Sequence, residues 1–302
     1  MAFRILRDET VEAAIRRIAR EEIDGAIQEI DDCDLSGHET VHQVRKRCKK
    51  IRGLIRLARP SFDGYAAENR RFRDAARSLS EIRDATTRIE CLDALTDRYH
   101  REIDRAPSER LRGALVARRE SVAASCDLAS RLGAFRAEME SSRDRVDRWS
   151  FAKEDFAAIS GGLKGTYGRT RKAMRRAYAR PSAERFHEWR KSVKYNRYHA
   201  QLLCGIWEPV MEPVCRELET LSDLLGEAHD LVVMRALLDE APDALGPPRE
   251  SKRLLDLMER RRERLLARAR PVGRRLYAEK PACYVARMGT IWDAWQSERK
   301  LG

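Results

Sequence analysis

"VHQVRKRCKKIRGLIRLARP", residues 41–60, places eight Lys or Arg in twenty positions behind a histidine and contains no Asp or Glu. On a helix turning ~100° per residue, His42, Arg45, Lys46, Lys49, Arg52 and Arg56 share one arc of ~120°, and Val44, Cys48, Ile51 and Ile55 lie opposite. The stretch therefore reads as an amphipathic helix whose apolar face anchors it and whose basic stripe points outward. Like charges one turn apart repel, so such a stripe is costly unless an acid or a bound anion lies beside it.

A lone basic face is usually just solvated, but this one recurs. "FHEWRKSVKYNRYH" (186–199) aligns without gaps to residues 41–54, pairing His42, Arg45, Lys46, Lys49 and Arg52 with His187, Arg190, Lys191, Lys194 and Arg197. Trp189, Val193 and Ala200 face away from the second stripe. Downstream, "LSEIRD" (79–84) aligns to "LGEAHD" (225–230), pairing Arg83 with His229 and Asp84 with Asp230. Two matches in the same order and at nearly the same spacing indicate an internal duplication.

The rest of the chain reads as helices. Helical periodicity runs through nearly all of the 302 residues and alternating β-branched runs are missing, which predicts an all-α fold. Breaks are expected at 34–39, 59–65, 105–109, 160–165 ("SGGLKG"), 180–184, 205–209, 245–250, 269–273 ("ARPVG") and 279–281. They leave about four helices on each side of a joint near residues 145–160, as expected of helix bundles with short connections.

Charge and composition narrow the class of partner. Sixty-one Lys and Arg against 49 Asp and Glu give a formal charge of +12, which favours polyanions such as nucleic acid, polyphosphate or an anionic membrane surface. Seven cysteines with no C-x-x-C pair suggest neither a disulfide framework nor a zinc site and fit a reducing cytoplasm. The amino terminus lacks the apolar core of a signal peptide, and no stretch approaches the ~20 apolar residues of a membrane span.

The H-x-x-R-K-x-x-K-x-x-R pattern at His42 and His187, the paired motifs at Leu79 and Leu225, and the closing "RRLYAEKPACYVARMGTIWDAW" (274–295) together resemble the CHAD domain, the conserved histidine α-helical domain. That resemblance implies two antiparallel four-helix bundles, 1–150 and 151–302, related by a pseudo-twofold duplication, whose basic stripes line a shared central groove or pore. It implies inorganic polyphosphate as the ligand, a place at cytoplasmic polyphosphate granules, and granule-associated proteins as further partners. Carried over residue by residue, it marks His42, Arg45, Lys46, Lys49, Arg52, Arg56 and Arg83 in the first half. His187, Arg190, Lys191, Lys194, Arg197, Tyr198 and His229 follow in the second, with Lys164, Arg169, Arg171 and Lys280 as further candidates. The halves depart from each other where Gly53 faces Tyr198 and Arg83 faces His229, so unequal contributions are expected.

The residue chemistry suits the same ligand class. Arginine forks match phosphate oxygens, lysine adds mobile charge, and a histidine of ordinary pKa is expected to become a third cation beside a polyanion. Asp84 and Asp230 are expected to aim a stripe cation through a charge-assisted hydrogen bond. Arg261 and Arg262 read as distant surface residues.

Other signals carry less. His38 and His42 have metal-clip spacing, but the break at "LSGHE" places His38 at or before the helix start. The five Trp residues read as buried anchors. "SGGLKGTYG" has the wrong spacing for a phosphate loop, and no nucleophile with a matched base or carboxylate cluster for Mg²⁺ is evident, so no cofactor, metal or catalytic residue is assigned. Two alternatives to a non-enzymatic polyphosphate-binding module stay open: a nucleic-acid-binding protein, disfavoured because only Tyr198 interrupts the stripes, and a hydrolase acting on polyphosphate, disfavoured by the absence of a metal site.

Overall fold

A computed structural model of the chain describes residues 3–103, 105–125, 127–240 and 248–298. Among them are eleven α-helices and no strand: α1 (Val11–Asp31), α2 (Gly37–Leu57), α3 (Tyr65–Ser78), α4 (Ser80–Arg98), α5 (Arg105–Ser125), α6 (Leu128–Val146), α7 (Asp155–Ala179), α8 (Ala183–Leu202), α9 (Glu208–Glu240), α10 (Pro248–Leu276) and α11 (Pro281–Ser297). The all-α expectation holds, while six helices precede residue 150 instead of about four. One of the two extra helices comes from a break at Leu79, whose φ of −103° and ψ of 10° separate α3 from α4, and the other from the break before Leu128, where Asp127 at a φ of 38° caps α6. The corresponding stretch of the second half continues unbroken as the 33-residue α9.

Local chemistry sets the start of the basic helix. Ser36 caps α2 with a reciprocal capping box: the Glu39 amide donates to Ser36 Oγ at 3.4 Å and the Ser36 amide donates to Glu39 Oε2 at 2.9 Å. His38 consequently lies inside the first turn, not ahead of it. No group of three or more metal-ligating side chains occurs among the described residues.

Three expected breaks are helical, and one of them, 105–109, opens α5. "SGGLKG" lies inside α7, because a Cβ on Gly162 would come within 1.9 Å of the Leu57 carbonyl oxygen; this glycine serves the crossing of α7 over the end of α2. "ARPVG" lies inside α10, which tolerates Pro271. Gly273 there is packed so closely that its Cβ would meet Trp189 at 2.8 Å.

Burial divides into two cores, and each draws on both halves of the chain. One is built from α1, α2, α3 and α6 with the first part of α7, and is completed by Met288, Trp292 and Trp295 of α11. The other gathers α7 to α10 around Trp189, with Ile89, Leu92 and Leu95 of α4 and Leu111 and Leu115 of α5. Helices α2 and α8, the two copies of the basic helix, pack against each other, and α4 packs against α9. The described cysteines are all free. No described helix is long and apolar enough to cross a membrane.

Candidate functional site

The crossing of α2 and α8 brings the two stripes to one place. A cavity of about 480 Å³ is lined by His42, Arg45, Lys49 and Arg52 of α2 and by Arg190, Lys191, Lys194 and Tyr198 of α8. Its walls are completed by Arg83 and Asp84 on α4 and by His229 and Asp230 on α9. A second cavity of about 380 Å³ adjoins it, sharing Arg83, Thr87, Arg190, Lys194 and Asp230, and adds Arg197.

Several of these cations are fixed by acceptors at their backs. Arg45 donates to the Ala76 carbonyl, Arg52 Nε donates to Asn69 Oδ1 at 3.1 Å, and Arg83 holds Glu90 through two bonds of 2.9 Å. Arg197 pairs with Glu219, and Lys191 with Glu188 at 2.7 Å. The Nε atoms of Arg45, Arg190 and Arg197 are buried without a hydrogen-bond partner.

Lys49 and Lys194 differ from the rest. Neither has an ion-pair or hydrogen-bond partner among the described residues, although both line the cavity. Burial, and then the charges of Arg45 and Arg190, push Lys49 down to about 8. Burial, Arg190 and Lys49 itself push Lys194 down to about 7. The two lysines therefore sense each other across the cavity as like charges.

His42, His187 and His229 are all held below the ordinary histidine value in the free chain. His42 is held below its ordinary value by burial and by Arg83, and His229 falls to about 4 through burial, Arg190 and His187. His187 is lowered by burial and Arg190. It stacks on His229 with ring centroids 4.2 Å apart, outside the cavity lining, so only the first of the duplicated histidines reaches the cavity. Arg83 and His229, where the repeats depart from each other, both line the cavity.

The expected role of the two aspartates needs correction. No hydrogen bond joins Asp84 to a stripe cation, because Arg45 takes the Ala76 carbonyl instead; Asp84 acts on Arg45 and Lys49 only through its charge. Asp230 lies 4.0 Å from Arg190, too far for a hydrogen bond. Arg261 is no surface residue either: it is 6% exposed, donates twice to Glu227 at 2.5 and 2.8 Å, and lines the adjoining cavity.

The remaining candidates lie elsewhere. Lys46, Lys164 and Lys280 are exposed and line neither cavity, and Arg171 donates to the Tyr277 carbonyl at 3.0 Å. Arg56 stacks over Tyr195, 4.1 Å from the ring centroid, and Arg169 lies near it on α7.

The cavity is thus lined by residues of both repeats, and each repeat carries the same spacing. The chain belongs to the CHAD domain family. That family matches residues 17–239, which include both repeats and end before the closing 274–295 stretch. A solved structure of PptA from Streptomyces chartreusis shares the fold: it superposes with a TM-score of 0.61 at 16% identity, covering 90% of this chain and 100% of its own. A search of curated proteins finds no match.

Four lining residues of this CHAD domain escaped the sequence reading: Thr87, Val233, Arg88 and Tyr195. Arg88, whose Nε is buried without a partner, follows Asp84 by one turn on α4, and that i, i+4 relation was a usable signal. Tyr195 sits just outside the basic arc of α8, and only the tertiary crossing turns it into the cavity.

Proposed function

We propose that this CHAD domain binds inorganic polyphosphate in the cavity between α2, α4, α8 and α9, and that it does so without making or breaking bonds. The observation that carries this reading is the pair Lys49 and Lys194, two cations without carboxylate partners that face one cavity among arginines with unpaired donors. Folding disfavours such a cluster, so a polyanion that neutralises it gains binding energy from relief of that repulsion. Asp84 and Asp230 keep the free cavity tolerable without closing it to an anion.

Sixteen of the eighteen residues named from sequence would then divide by role. His42, Arg45, Lys49, Arg52, Arg83, Arg190, Lys191, Lys194, Tyr198 and His229 meet the ligand in the cavity, and Arg197 extends it into the adjoining one. Lys46, Arg56, Lys164, Arg169 and Lys280 contribute attraction from outside. A role as a granule-associated cytoplasmic module, recruiting proteins to polyphosphate, belongs to the same reading.

The fold fits a duplicated unit, with α1 and α2 answering to α7 and α8, and the α3–α4 pair answering to α9. We take the halves 1–150 and 151–302 as copies that exchange terminal helices to complete two cores. Nucleic acid is the weaker reading, because the two tyrosines lining the cavity are engaged, Tyr195 under Arg56 and Tyr198 against Gly53. Titration with long-chain polyphosphate and with single-stranded DNA of matched charge, each over a range of salt, tests the choice. Polyphosphate binding that persists where DNA binding is lost supports the proposal; equal affinities that fade together refute it.

A further inference from the structure

Away from the basic cavity, two cysteines that the proposed binding does not use meet at the corner between α8 and α9. Leu203 caps α8, a 3-10 turn follows over Cys204–Ile206, and α9 starts at Glu208. The Trp207 carbonyl accepts from the amides of Val210 at 3.1 Å and Met211 at 2.9 Å, so the chain reverses within a few residues. That reversal lays the second turn of α9 back along the 3-10 turn, where the Cys204 and Cys215 thiols share a hydrogen bond. Both side chains are half-buried, whereas Cys48 is sealed in a core and Cys33 and Cys283 stand exposed.

The pair lies on the seam between the two cores. Cys204 packs against the first and Cys215 against the second, and Tyr284 of α11 packs against both. Burial, and then the Cys204 thiol beside it, push the Cys215 thiol up to about 12. The shared hydrogen bond adds to that rise, so Cys215 is its donor and the Cys204 sulfur its acceptor. A thiol that donates keeps its proton and attacks late, which makes Cys204 the sulfur first oxidised and Cys215 the partner that resolves the product.

We propose that Cys204 and Cys215 form a peroxide-sensitive modification site, a dithiol that closes to a disulfide and ties the start of α9 to the end of α8. Hydrogen peroxide first converts the Cys204 thiol to a sulfenic acid and releases one water. The Cys215 sulfur then attacks the Cys204 sulfur; the S–O bond breaks, and the departing hydroxide takes the Cys215 proton to leave as a second water. In all, two electrons and two protons pass from the thiols to the peroxide, and a thiol reductant returns them. The ring encloses the ten residues 205–214 and joins elements seated on different cores, so the bridged chain resists unfolding. The site stands independently of the polyphosphate reading.

The test uses the whole, unsubstituted chain. After reduction and removal of the reductant it is treated with one equivalent of hydrogen peroxide, quenched with N-ethylmaleimide and digested with trypsin. Cleavage after Arg197 and Arg216 leaves both cysteines in one peptide, 198–216. The expected product is that peptide lighter by two hydrogens and unlabelled, formed ahead of oxidation at Cys33 and Cys283, and returned to the doubly labelled form by dithiothreitol. Bridging should raise the thermal midpoint by about 5 °C, a shift that dithiothreitol reverses and that Cys204→Ser and Cys215→Ser, treated alike, do not show. A sulfenic acid trapped by dimedone should accumulate at Cys204 in Cys215→Ser. A doubly labelled peptide while Cys33 and Cys283 are already oxidised would overturn the site, as would disulfides that join Cys204 or Cys215 only to another chain. A bridged peptide with an unchanged midpoint would overturn the stabilising tie between α8 and α9.

Discussion

Tyr198 packs onto Gly53, the residue that occupies its own position in the other repeat. A Cβ on Gly53 would stand 2.8 Å from Tyr198 Cδ2 and 2.9 Å from Tyr198 Cβ. Next to this contact, His199 Nε2 lies 3.1 Å from the Gly53 carbonyl oxygen and donates to it, while burial drives the His199 imidazole down to about 3 and keeps it neutral. Where the two basic helices cross, both cannot carry a ring, and the glycine of one accommodates the tyrosine of the other. The departure between the repeats is thus the joint that holds the two stripes on one cavity.

Gly53→Ala should destabilise the fold by about 1–3 kcal/mol through overpacking, even though alanine is the better helix former by ~1 kcal/mol. Because the clash reaches Tyr198 Cβ, rotation of the ring alone cannot relieve it. Pairing it with Tyr198→Ala should recover part of the loss. Denaturant unfolding of the four proteins checks this, and additive effects of the two changes would contradict the contact.

Lys49 and Lys194 are retained at a cost to stability. Replacing both by Met should raise the denaturation midpoint, since two crowded cations are replaced by apolar groups of similar length, and should lower polyphosphate affinity at least about 100-fold, taking ~1.5–3 kcal/mol for each charged hydrogen bond. A variant that is both more stable and still binds would separate these lysines from the site.

Acidity should tune the same pair. Both lysines titrate far below their unfolded value of 10.5, at about 8 and about 7. The unfolded chain therefore binds more protons between about pH 7 and 10.5, so stability falls as pH drops through that window and levels off below it. Binding a polyanion runs the other way: it raises both values, takes up as many as about two protons, and weakens as pH rises from 7 toward 10. Affinity measured across that range should decline in the parent and stay nearly flat in Lys49→Arg/Lys194→Arg, whose guanidinium groups keep their charge.

Much of this was legible in the residues and some was not, for physical reasons. His42, Lys49, Arg190 and Lys194 announced themselves because a 3.6-residue period determines which residues share a face. The same period cannot say which face meets which neighbour, so Arg88 and Tyr195 went unnoticed and Arg261, buried against Glu227, passed for a surface residue. Gly161 and Gly162 looked like a break because glycine weakens helices, yet they lie in α7, where the Pro60 ring crowds the first and the backbone of α2 leaves no space for a side chain on the second. Histidine charge was equally hidden, since it depends on burial and on Arg83 and Arg190, which only the tertiary structure brings near.

Lysine footprinting reads the central claim most directly. At pH 8 a large fraction of Lys49 and Lys194 is in the neutral, nucleophilic form, so brief acetylation of the free protein should label these two ahead of the other nine of its eleven lysines. Adding long-chain polyphosphate should protect both, by occupying the cavity and restoring their protons, while exposed lysines such as Lys153 and Lys172 continue to react. Protection spread evenly over all lysines, or none at Lys49 and Lys194 under conditions where polyphosphate is bound, would contradict the cavity as the binding site.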